Sequence, residues 1–419
     1  MRTSTMSEPA TLPREVWVII AANFVIAVGF GLVAPALPTF ARGFDVSVTA
    51  ASIVISAFAV ARLLFAPAAG RLVTTLGERR VYLWGLLIVA VTTGACAFAT
   101  EYWHLLVLRC VAGTGSTMFT VSGVALLIRL TPPLLRGRAS GHWGTSFLLG
   151  NVAGPIMGGG LIAISLRAPF LVYAGSLVLA VLIVWVALRG SVLMAPSSGD
   201  DAPPPMPLRT ALRDSGYRAA LASNFATGWA VFGVRTALIP LFITEVMRRD
   251  ESFAGTALAL FAAGNVAMLL VSGRLSDRIG RKPLLIAGLA LAGAATAWVG
   301  FADSVWEFVV VTIVAGLGTG VYSPSQQAAV ADVLGKARSG QVLAAFQMTA
   351  DVGAILGPII AGVLADKLSF TAAFGVTGAF LIIAALVWLP ARETLPRPTE
   401  QPHPTPAEAV ATEMPAKPN

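Results

Sequence analysis

The sequence predicts an all-α polytopic membrane protein, with twelve transmembrane helices in two six-helix pseudo-symmetric bundles, and three observations point there. Apolar residues make up 56% of the 419, charged residues only 12%, and the mean hydropathy is +0.78, a composition that no water-soluble domain requires. The apolar residues gather into twelve runs of about 20 residues, each long enough to cross hydrocarbon as a helix. A shift of 203 positions lays the last six runs over the first six. GRLSDRIGRKP (Gly273 to Pro283) falls on GRLVTTLGERR (Gly70 to Arg80), VAGLG at Val314 on VAGTG at Val111, and Gly357-Pro358 on Gly154-Pro155. One offset that aligns three separate signals marks residues 16–189 and 219–389 as two copies of one unit.

Taken in order, residues 1–15 form a polar cytoplasmic leader with Pro9 and Pro13 and no cleavage signal, so the run at 16–38 should stay as a membrane helix. Runs at 49–70, 81–99, 104–128, 139–162 and 169–189 complete the N-terminal bundle. Residues 190–218, with PSSGDDAPPPMP at their centre, read as an exposed linker with a surface helix near Leu208 to Asp214. Runs at 219–243, 253–273, 284–302, 307–330, 341–363 and 370–389 form the C-terminal bundle. Residues 390–419 are polar and rich in proline, and are expected to be a disordered tail.

Twelve crossings return both termini to one side, and the basic residues choose which. Of 29 lysines and arginines, 21 lie in segments on the side of the termini, against Arg42, Arg167, Arg248, Arg249 and Lys367 on the other. That bias places the termini, the linker and both Gly-Arg-Leu turns in the cytoplasm, as in a bacterial inner membrane. It also accounts for the net charge of +8 with no nucleic-acid partner. Cys96 and Cys110 both lie inside apolar runs, and His104, His142 and His403 are scattered, so neither a disulfide framework nor a metal site is expected. No cofactor, no ATP-binding Gly-rich loop and no enzymatic activity are expected either.

Three arginines and one carboxylate fall inside the runs, where charge is costly and marks a coupling or cavity site by default. Arg62, Arg109 and Arg235 lie in runs two, four and seven, and Asp351 lies in run eleven with Gln347 one turn away. Arg109, whose counterpart is Thr312, either holds an anionic group or pairs with backbone or Glu101. Asp351 replaces Leu148 of the first copy and reads either as a proton carrier or as a fixed ion-pair partner of Arg235 or Arg62. His142, at the start of run five, is a titratable candidate or a satisfied polar histidine. Asn23, Asn151 and Asn265 offer cavity hydrogen bonds, and Phe24, Phe30, Trp229 and Phe232 are candidates for an apolar pocket.

Gly150, Gly154 and Gly158 recur every four residues beside Pro155 and Gly159, and Gly353, Gly357, Pro358 and Gly362 repeat the pattern. Such faces admit close backbone contact, either between two halves that rock over one another or in ordinary static packing.

With these motifs the chain resembles the major facilitator superfamily, and within it the twelve-span drug:proton antiporter branch. GRLSDRIGRKP is similar to the loop signature between spans two and three. The first copy keeps Gly70, Leu72, Gly77, Arg79 and Arg80 but has Thr74 where the aspartate belongs. Arg109, Gly113 and Gly115 match the span-four motif, and GNVAGPIMGG (Gly150 to Gly159) matches the span-five antiporter motif. The resemblance implies the major facilitator fold and export of small amphipathic or drug-like molecules by alternating access, coupled to proton influx, in a protein working as a monomer. A symporter or uniporter of one metabolite, and a transport-inactive receptor or scaffold, stay open beside it. It further implies a cytoplasmic gate of Gly70, Gly77, Arg79 and Arg80 with Gly273, Asp277, Arg278, Gly280, Arg281 and Lys282. In that gate Gly273 and Gly280 permit a tight turn, and Asp277 accepts from the N-terminus of span five near Ala139. Thr74, facing span eleven near Gln341, gives a softer copy, and topology alone is the other account of the basic residues. Span one has no acidic residue between Val16 and Pro38, which departs from antiporters that carry one there.

Overall fold

The computed structural model describes residues 12–131, 135–189, 206–334 and 340–395, and every regular element among them is helical. The long helices are α1 (Arg14–Arg42, with a turn at 34–35), α2 (Val48–Leu76), α3 (Glu78–Cys96), α4 (Tyr102–Leu130), α5 (Arg136–Ile162) and α6 (Ala168–Ala187). They continue as α7 (Ser215–Val246), α8 (Ser252–Ile279), α9 (Arg281–Val299), α10 (Val305–Leu334), α11 (Gly340–Lys367) and α12 (Phe370–Val387). Eleven helices among the described residues are long and apolar enough to cross a membrane; α3, with 19 residues, opens on Glu78, Arg79 and Arg80. Large apolar side chains such as Leu64, Phe98, Ile164 and Leu179 are exposed, as expected where lipid rather than water is the solvent.

The packing repeats with the sequence. In the first set α1 packs on α5 and α6, α4 on α2 and α3, and α3 on α6; in the second α7 packs on α11 and α12, α10 on α8 and α9, and α9 on α12. The two sets meet along α2 with α11 and along α5 with α8, a pairing that is itself symmetric.

Helices α2 and α8 run further than the apolar pattern predicts, through Leu76 and Ile279. Backbone hydrogen bonding continues under the polar side chains until one glycine takes a positive φ, Gly77 at 82° and Gly280 at 104°. Glycine is the residue that adopts this conformation without a Cβ penalty. The turn therefore rests on Gly77 and Gly280, whereas Gly273, expected to help form it, is helical like the equivalent Gly70, and both have open space around them among the described residues.

Helix α7 is not uniformly α-helical: Gly228–Arg235 and Phe242–Val246 are π-helical, on either side of Thr236–Leu241 with its internal Pro240. The expected surface helix before it is a single turn, Leu208–Ala211. Asp214 then caps α7, accepting from Gly216 N at 2.8 Å and Tyr217 N at 3.1 Å. The described residues of the expected tail, 390–395, pack on the second set: Arg392 Nε donates to Asp214 at 2.7 Å, and Glu393 is tied to the start of α9. The rest of the expected linker, 190–205, and of the expected tail, 396–419, lies outside the described residues.

Candidate functional site

The buried charges of the membrane region are held by rings. Arg109 on α4 lies over Phe58 of α2 with its guanidinium carbon 4.2 Å from the ring centroid, and Arg235 on α7 lies over Phe261 of α8 at 3.8 Å. Phe58 and Phe261 are 203 positions apart, so the two copies use one aromatic position to hold arginines that come from different helices. Both guanidinium groups are buried, and the ring quadrupole supplies part of what a carboxylate would otherwise supply. Arg235 also donates to Thr296 at 3.4 Å, while its Nε and Nη1, and Nε of Arg109, lack hydrogen-bond partners among the described residues. Glu101 is not a partner of Arg109 among them. Arg62 Nη1 donates to Ser116 at 3.2 Å and its guanidinium is 5.9 Å from the Phe58 ring.

Asp351 is partly buried on α11, makes no ion pair within 4 Å among the described residues, and lies within electrostatic reach of Arg62 across the seam between the two sets. Ser56 Oγ donates to Ile355 O at 2.8 Å along the same α2 and α11 seam. Gln347, one turn earlier on α11, is exposed. The arrangement sets one carboxylate against one guanidinium on two surfaces that meet without a direct bond.

The Arg42 end of the molecule is closed by contacts between the sets. Arg42 Nε donates to Glu245 of α7 at 2.8 Å. Asp366 of α11 accepts from Val48 N at 3.0 Å and Thr49 N at 2.8 Å, capping α2 from the other set. Backbones touch at two equivalent places. A Cβ on Gly255 would lie 2.4 Å from Cα of Gly159, and one on Gly362 would lie 2.9 Å from Cα of Thr49. Gly159 and Gly362 are again 203 apart.

At the opposite, basic end each turn is bonded within its own set. Arg281 pairs with Asp332 of α10 at 3.1 Å and with Asp277, and Glu78 pairs with Arg129 of α4 at 2.7 Å. These pairs occupy equivalent positions with the charges exchanged, since Arg281 corresponds to Glu78 and Asp332 to Arg129. Lys282 Nζ donates to the carbonyls of Leu389 and Ala391, and the equivalent Arg79 donates to that of Trp185. Asp277 is exposed and its partner is Arg281. Arg80 and Arg278 are exposed as well.

The chain matches the Major Facilitator Superfamily profile twice, over residues 19–248 and 220–416. It is 32% identical over 356 residues to the tetracycline resistance protein, class C, of Escherichia coli, covering 82% of this chain and 87% of that protein. The chain belongs to the major facilitator superfamily. It is also 24% identical to the multi-drug resistance efflux pump PmrA of Streptococcus pneumoniae (87% of this chain, 92% of that protein). A bacterial homolog of the human lysosomal transporter Spinster, in an inward-facing and unoccupied conformation, superposes with a TM-score of 0.73 at 16% identity, over 90% of this chain and 97% of that one. The protein is thus an integral, multi-pass secondary transporter that resembles the drug-efflux pumps of the superfamily.

The superfamily motif on α5 serves mainly its own set. Added Cβ atoms on Gly150, Gly154 and Gly158 would lie 2.5 to 2.7 Å from Ala27, Val28 O and Leu32 O of α1, and Pro155 lies against Gly31. Gly159 alone among the motif's glycines faces the other set. Gly353 and Gly357 likewise meet α7. Asn23 is a clamp in the same contact, donating to Trp143 O at 3.0 Å and Ser146 Oγ at 2.9 Å. His142 packs on Trp17 with ring centroids 4.9 Å apart. Asn151 bonds within its helix and Trp229 is buried against Phe380, whereas Phe24 and Phe232 are exposed. The seam pairs Arg42 with Glu245 and Asp366 with α2 carry no sequence motif; the sign available was that positions 42 and 245 differ by the repeat offset and bear opposite charge.

Proposed function

We propose that the protein is a twelve-span exporter of small amphipathic or drug-like molecules, built as two six-helix bundles and driven by inward proton movement through alternating access. The observation that carries the coupling is Asp351, a membrane carboxylate without an ion pair among the described residues and within electrostatic reach of Arg62. When the seam opens, the distance between the two changes, and with it the balance between a bound proton and a neighbouring guanidinium. The tetracycline-resistance and multidrug relatives support export and a drug-like cargo.

The basic end faces the cytoplasm in this reading, with both termini and the 190–218 linker on that side of a bacterial inner membrane. The Arg42 end is then the outer gate, closed in the state described, and the pairing of Asp277 with Arg281 is the disengaged form of the inner latch. The monomer is the working unit.

Proteoliposomes with an imposed pH gradient test the reading. Addition of a tetracycline or a quinolone should release protons with wild-type protein, and Asp351→Asn should abolish gradient-driven transport while the protein still inserts and purifies normally. Transport by Asp351→Asn with an unchanged pH dependence would remove Asp351 from the coupling. Substrate flux indifferent to the gradient in the wild type would favour a uniporter.

A further inference from the structure

Inside the second set the Arg235 guanidinium carries a charge that no carboxylate answers. The residue is only 5% exposed, and its Nε and Nη1 lack hydrogen-bond partners among the described residues, while Nη2 reaches Thr296 Oγ1 at 3.4 Å. Among those residues the ionisable group within its electrostatic reach is the phenol of Tyr322 on α10. The Phe261 ring, with its centroid 3.8 Å from the guanidinium carbon, offsets part of the charge. A guanidinium keeps its proton in a protein, so water could answer the open N–H groups but not the charge that remains.

Four helices converge on this charge. Val231 of α7, Phe261 of α8, Ala295 of α9 and Ala315 of α10 form one apolar cluster, and a Cβ on Gly316 of α10 would lie 2.2 Å from Phe261 O. One turn before Gly316, Thr312 is fully buried and its hydroxyl has no hydrogen-bond partner among the described residues. The repeat offset puts Thr312 where the first set has Arg109, the residue that covers Phe58, so Thr312 and Arg235 address the Phe261 position from two helices. Leu32, the counterpart of Arg235, lies in regular α-helix with its backbone against Gly158 of α5. In α7 the π-helical stretch Gly228–Arg235 ends on the arginine itself, whose guanidinium goes to α8 and α9 instead. Short π-helical stretches of this kind frequently accompany functional sites.

We propose that Arg235 and Thr312 bind a small monovalent anion of the chloride class inside the second set, as the counter-ion of the buried guanidinium. The open groups of Arg235 are N–H donors and Thr312 adds an O–H, a set that suits an anion and disfavours a cation. One negative charge brings the site to neutrality, whereas a divalent anion would leave an excess that the apolar walls of Val231, Ala295 and Ala315 have no group to answer. The proposal depends neither on which molecule is exported nor on Asp351, whose electrostatic neighbour is Arg62.

The test uses the full-length protein in detergent, with chloride or bromide replacing gluconate at constant ionic strength. The Tm of the wild type should rise with either halide and saturate, and Arg235→Gln should lose that dependence. Thr312→Val, which keeps the shape of the side chain and serves where the arginine variant does not fold, should raise the half-saturating chloride concentration about tenfold, the weight of one hydrogen bond to a charged group. Bromide-soaked crystals should show one anomalous scatterer beside Arg235. Formate that stabilises as well as chloride, with the effect lost in the same variants, would support the anion site and assign it to a carboxylate. A wild-type Tm indifferent to halide, a halide dependence unchanged in both variants, or crystals with water alone beside Arg235 in bromide, overturns the proposal.

Discussion

Arg42 and Glu245 form an ion pair at 2.8 Å and stand 203 residues apart, the offset of the repeat itself. Two equivalent positions can touch only near the axis that relates the copies, so this pair marks where the pseudo-twofold axis leaves the Arg42 end. Its side chains are 34% and 31% exposed, and a pair so placed contributes about 0.2–1 kcal/mol. Glu245→Gln should therefore raise the population open at the Arg42 end, relative to that closed there, by up to about fivefold. Thiol labelling of a cysteine placed at Ile243 in the two backgrounds measures it, and equal labelling would show the pair to be incidental.

Asp366 should weigh more. It caps two amides of α2 from another helix, and loss of such a cap costs about 0.5–2 kcal/mol. Asp366→Ala should open the same end further than Glu245→Gln does, while Asp366→Asn, which keeps an acceptor, should fall between Ala and wild type. Distances between spin labels on α2 and α11 would separate the three.

The glycines of the basic turns predict an ordering rather than a single number. Gly273→Ala meets open space inside a helix and should leave stability unchanged or raise it by up to about 1 kcal/mol. Gly280→Ala demands a positive φ of 104° and collides with Glu393, at a cost of about 1–3 kcal/mol. Gly154→Ala drives a methyl to 2.5 Å from Val28 O and 2.7 Å from Cα of Gly31, and should cost about 1–3 kcal/mol through separation of α1 and α5. Thermal unfolding in detergent should rank Gly273→Ala at or above wild type and both others below it.

Glu393 predicts a pH dependence. Burial would raise its pKa, but the amides of Leu395, Arg281, Lys282 and Thr394 outweigh burial and hold it below the ordinary 4.5. A carboxylate depressed on folding contributes stability that is present above its unfolded pKa and lost as pH falls through the folded value. Glu393→Gln should thus lower the Tm at pH 7 and cease to differ from wild type once the pH is well below 4.5. Because the side chain is exposed, the effect at neutral pH should not exceed about 1 kcal/mol. A constant difference between pH 7 and pH 3.5 would assign the loss to shape rather than charge.

Much of the fold was legible in one dimension, because lipid forces apolar residues into long runs and duplication writes the packing pattern twice. Helix ends were less legible. The polar residues at 71–76 and 274–279 read as loop, yet backbone hydrogen bonding ignores side-chain polarity until Gly77 and Gly280 stop it. The four membrane charges were visible as residues, but not that Arg109 and Arg235 rest on equivalent phenylalanines, since Leu32 and Thr312 stand at their own counterparts. The facing of the α5 glycines was half legible: a four-residue spacing defines a stripe without naming the helix that fills it, and α1 proved to fill most of it.

The exchanged charges of the basic turns bear on how the chain assembles. Two copies of one unit, threaded into the bilayer in succession, invite a helix of one to dock against the wrong copy of its partner. With Glu78 answered by Arg129 and Arg281 by Asp332, a misplaced α3 on α10 would set two carboxylates together, and a misplaced α9 on α4 two guanidiniums. Opposite polarity in the two copies makes each junction attractive only to its own kind, so kinship of sequence need not become confusion of partners.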